Sequence, residues 1–298
     1  MRGQAFNRLI NWLLPVNPYI ELARPEHGII AGIASVSAYI FSGGHNPIVS
    51  LSLFISAFAA EAFLFITNDL LNIAEDSINR PNAPLVSGKA RRRIAAASSL
   101  AFLIASIIPM LILIMLRLIS GLPLIVLSIA LLLGFYYNWR GKRILVINNL
   151  IIAIVTPLTY IYGLTCANPS PNDTNIMLLL FMTSMVATMG REIIKGAIDA
   201  VGDSRVGIKT VATELGMRAA NEAGLLMTVA AVVISIPLML ASLDASAYIF
   251  VVSIIITDII MIYCMILLIK GNLEGYRRNT LLGMSITLLG LLISALIK

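Results

Sequence analysis

The sequence predicts an all-α, polytopic membrane protein: a bundle of nine transmembrane helices around a central cavity that opens near the cytoplasmic face. Three observations predict it. Of the 298 residues, 59% are hydrophobic and only 12% are charged, against roughly 25% charged in soluble domains. Nine apolar stretches approach the ~20 residues that a helix needs to cross a bilayer. The ten-residue alternating strands of a membrane barrel are absent from the pattern, so helices are the means of satisfying the backbone in lipid.

The elements follow in order. Residues 5–14 are short and amphipathic and run into Pro15, Asn17 and Pro18. The 1–18 segment therefore reads as an interfacial helix on the cytoplasmic face and not as a cleaved signal. The spans fall near 24–43, 48–71, 94–116, 119–137, 145–165, 175–198, 219–241, 246–269 and 279–297. Pro25 and Gly28 crowd the start of the first. Gly28 and Gly32, one turn apart, predict a close helix–helix approach within the chain. External loops are short, whereas the polar stretches 72–93 and 199–218 form cytoplasmic loops over the functional site. The whole of 1–298 reads as a single membrane-embedded domain.

Charge orients the bundle. With the N-terminus inside and the spans alternating, all of the 21 lysines and arginines except Arg117 and Lys298 fall on the cytoplasmic side. That asymmetry predicts a multi-pass protein of the cell membrane, N-terminus cytoplasmic and C-terminus external. The net charge of +6 is accounted for by topology signals and anionic headgroups, so no nucleic-acid partner is expected, and no required protein partner is evident. Cys166 and Cys264 are isolated, without metal or redox spacing. His27 and His45 form no ligand pair.

Two acidic clusters stand out against this apolar background. The first reads Asn68-Asp69-Leu70-Leu71-Asn72-Ile73-Ala74-Glu75-Asp76. If the second helix continues through it, Asn68, Asn72 and Asp76 share a stripe with Phe65 and Glu61, and Asp69 lies close to Asp76 in projection. Oxygen donors converging on one mouth predict a site for Mg²⁺, which binds through a few carboxylates plus phosphate oxygens. Candidate metal ligands are Asn68, Asp69, Asn72 and Asp76. Glu61, inside the hydrocarbon, needs a cavity or a partner and is a candidate base near an acceptor. The stretch from Asn79 to Lys89 holds Pro81 and Pro84 and cannot be helical. It returns Arg80 and Lys89 toward the acids, an arrangement suited to a strongly anionic ligand such as diphosphate.

The second cluster reads Arg191-Glu192-Ile193-Ile194-Lys195 and then Asp199 and Asp203. Glu192, Asp199 and Asp203 fall on one helical face, with Arg191 and Lys195 on the next. Asp199 and Asp203 are candidate metal ligands and catalytic residues, and Lys195 a candidate substrate contact. Two acidic patches with basic companions are suited to clamping a diphosphate through two Mg²⁺ ions. Between the clusters, Tyr136, Tyr137, Trp139, Arg140 and Lys142 mix aromatics with cations. Arg140 and Lys142 suit phosphate, and Tyr136 and Tyr137 suit the face of a developing carbocation. Asn148 and Asn149 read as helix caps.

Taken together, these motifs resemble the UbiA superfamily of intramembrane prenyltransferases. The family pattern Asn-Asp-x-x-Asp-x-x-x-Asp stands here as Asn68 to Asp76 with Asn72 at its central acid, followed by Asn79-Arg80-Pro81 and Pro84-Leu85-Val86-Ser87-Gly88-Lys89. Its second pattern, Asp-x-x-x-Asp, is matched by Asp199 and Asp203. The phrase Arg191–Asp203 and the opening Leu22-Ala23-Arg24-Pro25 look most like the archaeal branch that attaches a geranylgeranyl chain to geranylgeranylglyceryl phosphate in ether-lipid synthesis. The resemblance implies a Mg²⁺-dependent transfer of an isoprenoid chain from a polyprenyl diphosphate to a lipophilic acceptor. Asp76, Asp199, Asp203, Lys142, Glu61 and Tyr137 would then serve catalysis, with Arg24 on an acceptor phosphate or carboxylate. An aromatic prenyltransferase of the 4-hydroxybenzoate type is the alternative. An ion-coupled transporter using Glu61 and Asp258 is a remote one. Two departures mark this chain: Asn72 stands where the family carries an acid, and Gly196 stands three residues before Asp199. Both remove negative charge from the metal site, which predicts weaker metal binding or a compensating ligand such as Glu75.

Overall fold

In a computed structural model, the described residues are 17–205 and 207–297, with the side chains of 201–205 left aside. The predicted interfacial segment up to residue 16 and the carboxyl group of Asp203 lie outside this description. The order is α1 (Pro18–Ala23), α2 (Pro25–Phe41), α3 (Pro47–Leu71), α4 (Ile73–Asn79), α5 (Arg92–Met115), α6 (Leu122–Trp139), a 3₁₀ turn (Gly141–Arg143), α7 (Ile147–Val155), α8 (Leu158–Thr165), α9 (Pro171–Arg205), α10 (Val211–Asp244), α11 (Tyr248–Ile269) and α12 (Leu273–Ile297). Among the described residues, eight segments are long and apolar enough to cross a membrane. α2, with 17 residues, is shorter than these eight yet occupies the expected first position.

Local chemistry sets the helix ends. Asn46 caps α3 by accepting from the backbone N–H of Ile48 and Val49, and Pro47 takes the first helical position, where its missing N–H costs nothing. Thr210 and Thr213 form a reciprocal capping box at the start of α10. Pro157 separates α7 from α8, because a proline cannot donate to the preceding turn. The predicted span 145–165 is therefore two half-helices.

Small residues bring the helices together. A Cβ at Gly28 or Gly32 would lie 2.7 or 2.5 Å from the rings of Phe58 and Phe54, so these glycines are where α3 presses its aromatics onto α2, as their spacing predicts. Gly163 is more demanding, since a Cβ there would sit 2.0 Å from the Ser35 carbonyl oxygen. α2 is the hub. Ala34 and Ala38 pack with Phe41, Phe250 and Leu291, and Ala31 and Tyr39 pack with Leu53, Met110 and Tyr162. α12 packs against α2 and closes the bundle. Outward-facing side chains such as Met115, Leu132 and Ile269 remain exposed, the surface expected to meet lipid.

Two expectations about the polar loops are corrected. α3 does not run through the first acidic cluster: it ends at Leu71, and Asn72 adopts φ −114°, ψ 19° before α4 begins. Residues 199–218 are not an extended loop either, because α9 continues to Arg205 and α10 starts at Val211. A kink at Gly216, with φ 90°, separates a first helical turn from the span proper. That backbone conformation is open to glycine at little cost.

Candidate active site

Four helix ends and the 3₁₀ turn build a polar mouth at one end of the bundle. Arg24 sits between α1 and α2 in the left-handed region at φ 45°, uncommon for a residue with a Cβ. That bend aims its guanidinium at α3. There it donates to Asp69 Oδ1 at 2.9 Å and lies over the Phe65 ring, 4.5 Å from its centroid. Arg80 approaches the same carboxylate oxygen at 3.8 Å. Asp69 is buried, and its other oxygen, Oδ2, has no partner.

A chain of amides joins this pair to α6. Asn68 Nδ2 donates to Asn138 Oδ1 at 2.7 Å, and Asn138 Nδ2 donates to the Leu64 carbonyl at 2.8 Å. Gly134, one turn before Asn138, permits the approach, since a Cβ there would meet Leu64 at 2.6 Å. Asn72 Nδ2 donates to the Asn68 carbonyl at 2.7 Å. Its oxygen accepts from Lys142 Nζ. Asn72, expected to offer oxygen to a metal, is thus fully engaged: its NH₂ satisfies a helix-terminal carbonyl and its oxygen holds a lysine.

Lys142 also donates to Glu75, and Arg143 donates to the same carboxylate at 2.6 Å. The Lys142 and Glu75 side chains are 9% and 14% exposed, so this pair is largely withdrawn from water. Burial pushes the Glu75 carboxyl up, but the hydrogen bonds and charges of Arg143 and Lys142 outweigh it and hold the group below the usual glutamate range. Glu75 is the residue that sequence reasoning undervalued. It supplies a carboxylate within three positions of the acid that Asn72 replaces.

The segment after Lys142 ties this mouth to the second cluster. Leu145 packs with Ile193, Ala197 and Val211, and Asn148 Nδ2 donates to the Lys209 carbonyl at 3.1 Å, a tertiary contact in place of the expected capping, since α7 starts at Ile147 with no side-chain cap. Both clusters therefore lie at the same end of the bundle. On α9, Glu192 is buried and accepts from Arg191 at 2.8 Å and Lys195 at 3.2 Å. It is an ion-pair centre, and Lys195 rests on it. Asp199 is exposed on the following turns. Gly196 has a packing cause, since a Cβ there would come within 3.2 Å of Thr210, the residue that caps α10. An acid at this position would press on that cap.

Tyr136 and Lys89 are exposed, and Arg140 stacks on Trp139 at 4.6 Å. Tyr137 is half-buried. Glu61 lines a narrow apolar cavity of about 40 Å³ with Leu64, Leu127, Leu158 and Tyr162, two turns deeper than Asn68. Asp258, the other acid within a span, accepts from Ser235 at 2.7 Å and so has a structural partner.

The donors at the mouth are oxygens, as a hard cation requires. Among the described residues no three His, Cys, Asp or Glu side chains gather into a self-sufficient metal cage. This suits Mg²⁺, which usually takes one or two carboxylates and completes its shell with substrate phosphates and water. The unpartnered Asp69 Oδ2 fits the same requirement, and Asn68 and Asp76 stand beside it in the motif.

Comparison with known proteins agrees with this geometry. Digeranylgeranylglyceryl phosphate synthase of Methanothermobacter thermautotrophicus is 31% identical over 204 residues, 68% of each chain. A solved structure of a digeranylgeranylglyceryl phosphate synthase superposes with a TM-score of 0.74 at 27% identity, covering 94% of this chain and 98% of that one. A homologue from Archaeoglobus fulgidus bound to DMAPP and Mg²⁺ shares the fold, with a TM-score of 0.67 at 16% identity over 90% of this chain and 98% of its own. Residues 29–289 match the model of the UbiA prenyltransferase family, and the chain, an intramembrane prenyltransferase, belongs to that family.

Proposed function

We propose that this enzyme transfers a geranylgeranyl chain from its diphosphate to the free hydroxyl of geranylgeranylglyceryl phosphate, at the cytoplasmic face of the membrane. The observation that carries the reading is the mouth itself: cations and oxygen donors converge directly above an apolar cavity. The relatives named for this reaction support the acceptor. The distribution of basic residues supports a cytoplasmic N-terminus and an external C-terminus. Chain-wide coverage by one family model supports a single catalytic domain.

Asn68, Asp69 and Asp76, with Asp199 and Asp203 from the second motif, hold Mg²⁺ in this reading. The ion neutralises charge on the diphosphate when bound. Lys142, Arg143 and Arg80 surround the same space and stabilise the negative charge that builds on the leaving group. The allylic C–O bond breaks and the diphosphate departs with its electron pair. The acceptor oxygen then forms the new C–O bond and its proton leaves to Glu61. The apolar walls around Glu61 keep water from quenching the allylic cation. Tyr136 and Tyr137 flank the mouth, where an aromatic face attracts positive charge. Arg24 orients Asp69, a role its hydrogen bond to Oδ1 supports.

The test is an acceptor panel. Purified protein in detergent, given radiolabelled geranylgeranyl diphosphate and Mg²⁺, should prenylate geranylgeranylglyceryl phosphate and leave hydroxybenzoate unchanged. Prenylation of hydroxybenzoate alone refutes the acceptor assignment. Magnesium-independent turnover refutes the metal assignment.

A further inference from the structure

Arg191, Arg277 and Arg278 line a polar cavity of about 530 Å³ together with Asn272 and Glu274, within the size range of small-ligand pockets, roughly 300–1,000 Å³. It lies between α9 and the first turns of α12, away from the Asn68–Lys142 network. Arg191 is eight residues before Asp199 on a continuous helix, about 12 Å along its axis. Three guanidinium groups face one carboxylate here. Glu274 is engaged by Arg277 at 3.1 Å in a pair exposed on both sides, and Arg278 has no ion pair among the described residues. Arg191 gives NH1 to Glu192, yet its Nε is buried with no partner. A buried guanidinium donor left idle beside a cationic cavity is expensive unless a ligand takes it. Arg191 shares α9 with Asp199, so the cavity lies at the same end of the bundle as the second motif.

We infer that this cavity is the phosphate-monoester subsite of the acceptor. The inference deepens the proposed function and rests on it. A glyceryl phosphate carries a dianionic phosphate with three terminal oxygens, each able to take two charge-assisted hydrogen bonds. Planar guanidinium forks match that geometry bidentately. A bulk phospholipid offers a monoanionic diester with only two such oxygens and gains less from three arginines. Arg24, the residue that sequence alone suggests for the acceptor phosphate, is already committed to Asp69, whereas Arg278 carries no ion pair among the described residues and Arg191 keeps its Nε unpartnered. The glycerol hydroxyl lies a few bonds from the phosphate, so anchoring the phosphate here turns the hydroxyl toward the reacting allylic carbon.

Steady-state kinetics in lipid-free detergent tests this, with geranylgeranyl diphosphate as donor and two acceptors: geranylgeranylglyceryl phosphate and its dephosphorylated analogue. Arg278→Gln and the Arg277→Gln/Arg278→Gln double variant should raise KM for the phosphorylated acceptor by about tenfold or more. KM for the diphosphate should stay unchanged, which also reports an intact fold, and the dephosphorylated analogue should not respond. Arg278→Lys should recover part of the loss. An unchanged acceptor KM overturns the inference. So does a parallel rise in both KM values, which would place these arginines in the diphosphate site. An effect seen only in vesicles of phosphatidylglycerol overturns it too, because the cavity would then hold bulk lipid. The two readings fail differently. A wild-type enzyme that ignores glyceryl phosphate sinks the acceptor assignment and this subsite with it. Normal glyceryl phosphate turnover with an indifferent Arg278→Gln sinks the subsite alone.

Discussion

Lys142→Met is the most informative single perturbation of the mouth. Its ammonium holds Asn72 and Glu75 together, and both the Lys142 and Glu75 side chains are mostly withdrawn from solvent. Removing one partner of a buried pair costs about 3–5 kcal/mol. Arg143 stays on Glu75, but its side chain is 57% exposed, and a screened contact of that kind offsets about 1 kcal/mol or less. The expected destabilisation is therefore about 2–4 kcal/mol. Glu75→Gln alone should cost less, since Lys142 keeps Asn72. The double variant separates pair energy from side effects: a cycle measured by denaturant unfolding in detergent should give a coupling of about 2 kcal/mol. Turnover should fall in Lys142→Met, because a cation beside the leaving group is lost. A coupling below about 0.5 kcal/mol would refute the pairing. Undiminished turnover in Lys142→Met would refute its catalytic role.

Further outcomes follow from the same contacts. Glu75 titrates below the usual glutamate value of 4.5, so its contribution is complete above that pH and is lost as pH falls through the lower folded value. Unfolding followed against pH should show an acid limb that Glu75→Gln diminishes. Asn72→Asp should tighten magnesium dependence several-fold, read as the half-saturating Mg²⁺ concentration. It should also lower stability by about 1 kcal/mol, because the Asn68 carbonyl loses its side-chain donor and keeps only the backbone N–H of residue 72. Gly163→Ala drives a methyl group into the Ser35 carbonyl and should destabilise by about 1–3 kcal/mol, with a lower thermal midpoint in detergent. Glu61→Gln should leave diphosphate binding intact and reduce turnover with the glyceryl phosphate acceptor, measured by single-turnover product formation.

Hydropathy made the span order legible, because a helix in lipid must carry its apolar surface in one uninterrupted run. The first motif was legible as chemistry, since acids and amides at helical spacing have little other use at a membrane surface. Its partners were not. Arg24 reaching Asp69, Lys142 reaching Glu75, and Asn68 reaching Asn138 are contacts across the bundle that depend on helix packing. Asn72 shows the difference most plainly. As a sequence symbol it is a weakened metal ligand, whereas in the fold it terminates α3, satisfies the Asn68 carbonyl and grips a lysine. The helical start at Val211 was missed because the polar composition up to Arg218 was read as loop, although Thr210 and Thr213 carry a cap signal. Gly196 likewise reads as a lost acid until Thr210 is seen packed against it.

The central claim, that both motifs serve one diphosphate, is tested most directly by Mg²⁺-dependent binding of geranylgeranyl diphosphate to Asp76→Ala, Asp199→Ala and the double variant. A shared cradle predicts that each single change abolishes most of the binding and that the double change adds little more. Wild-type affinity in either single variant, or independent losses that simply add, would contradict it.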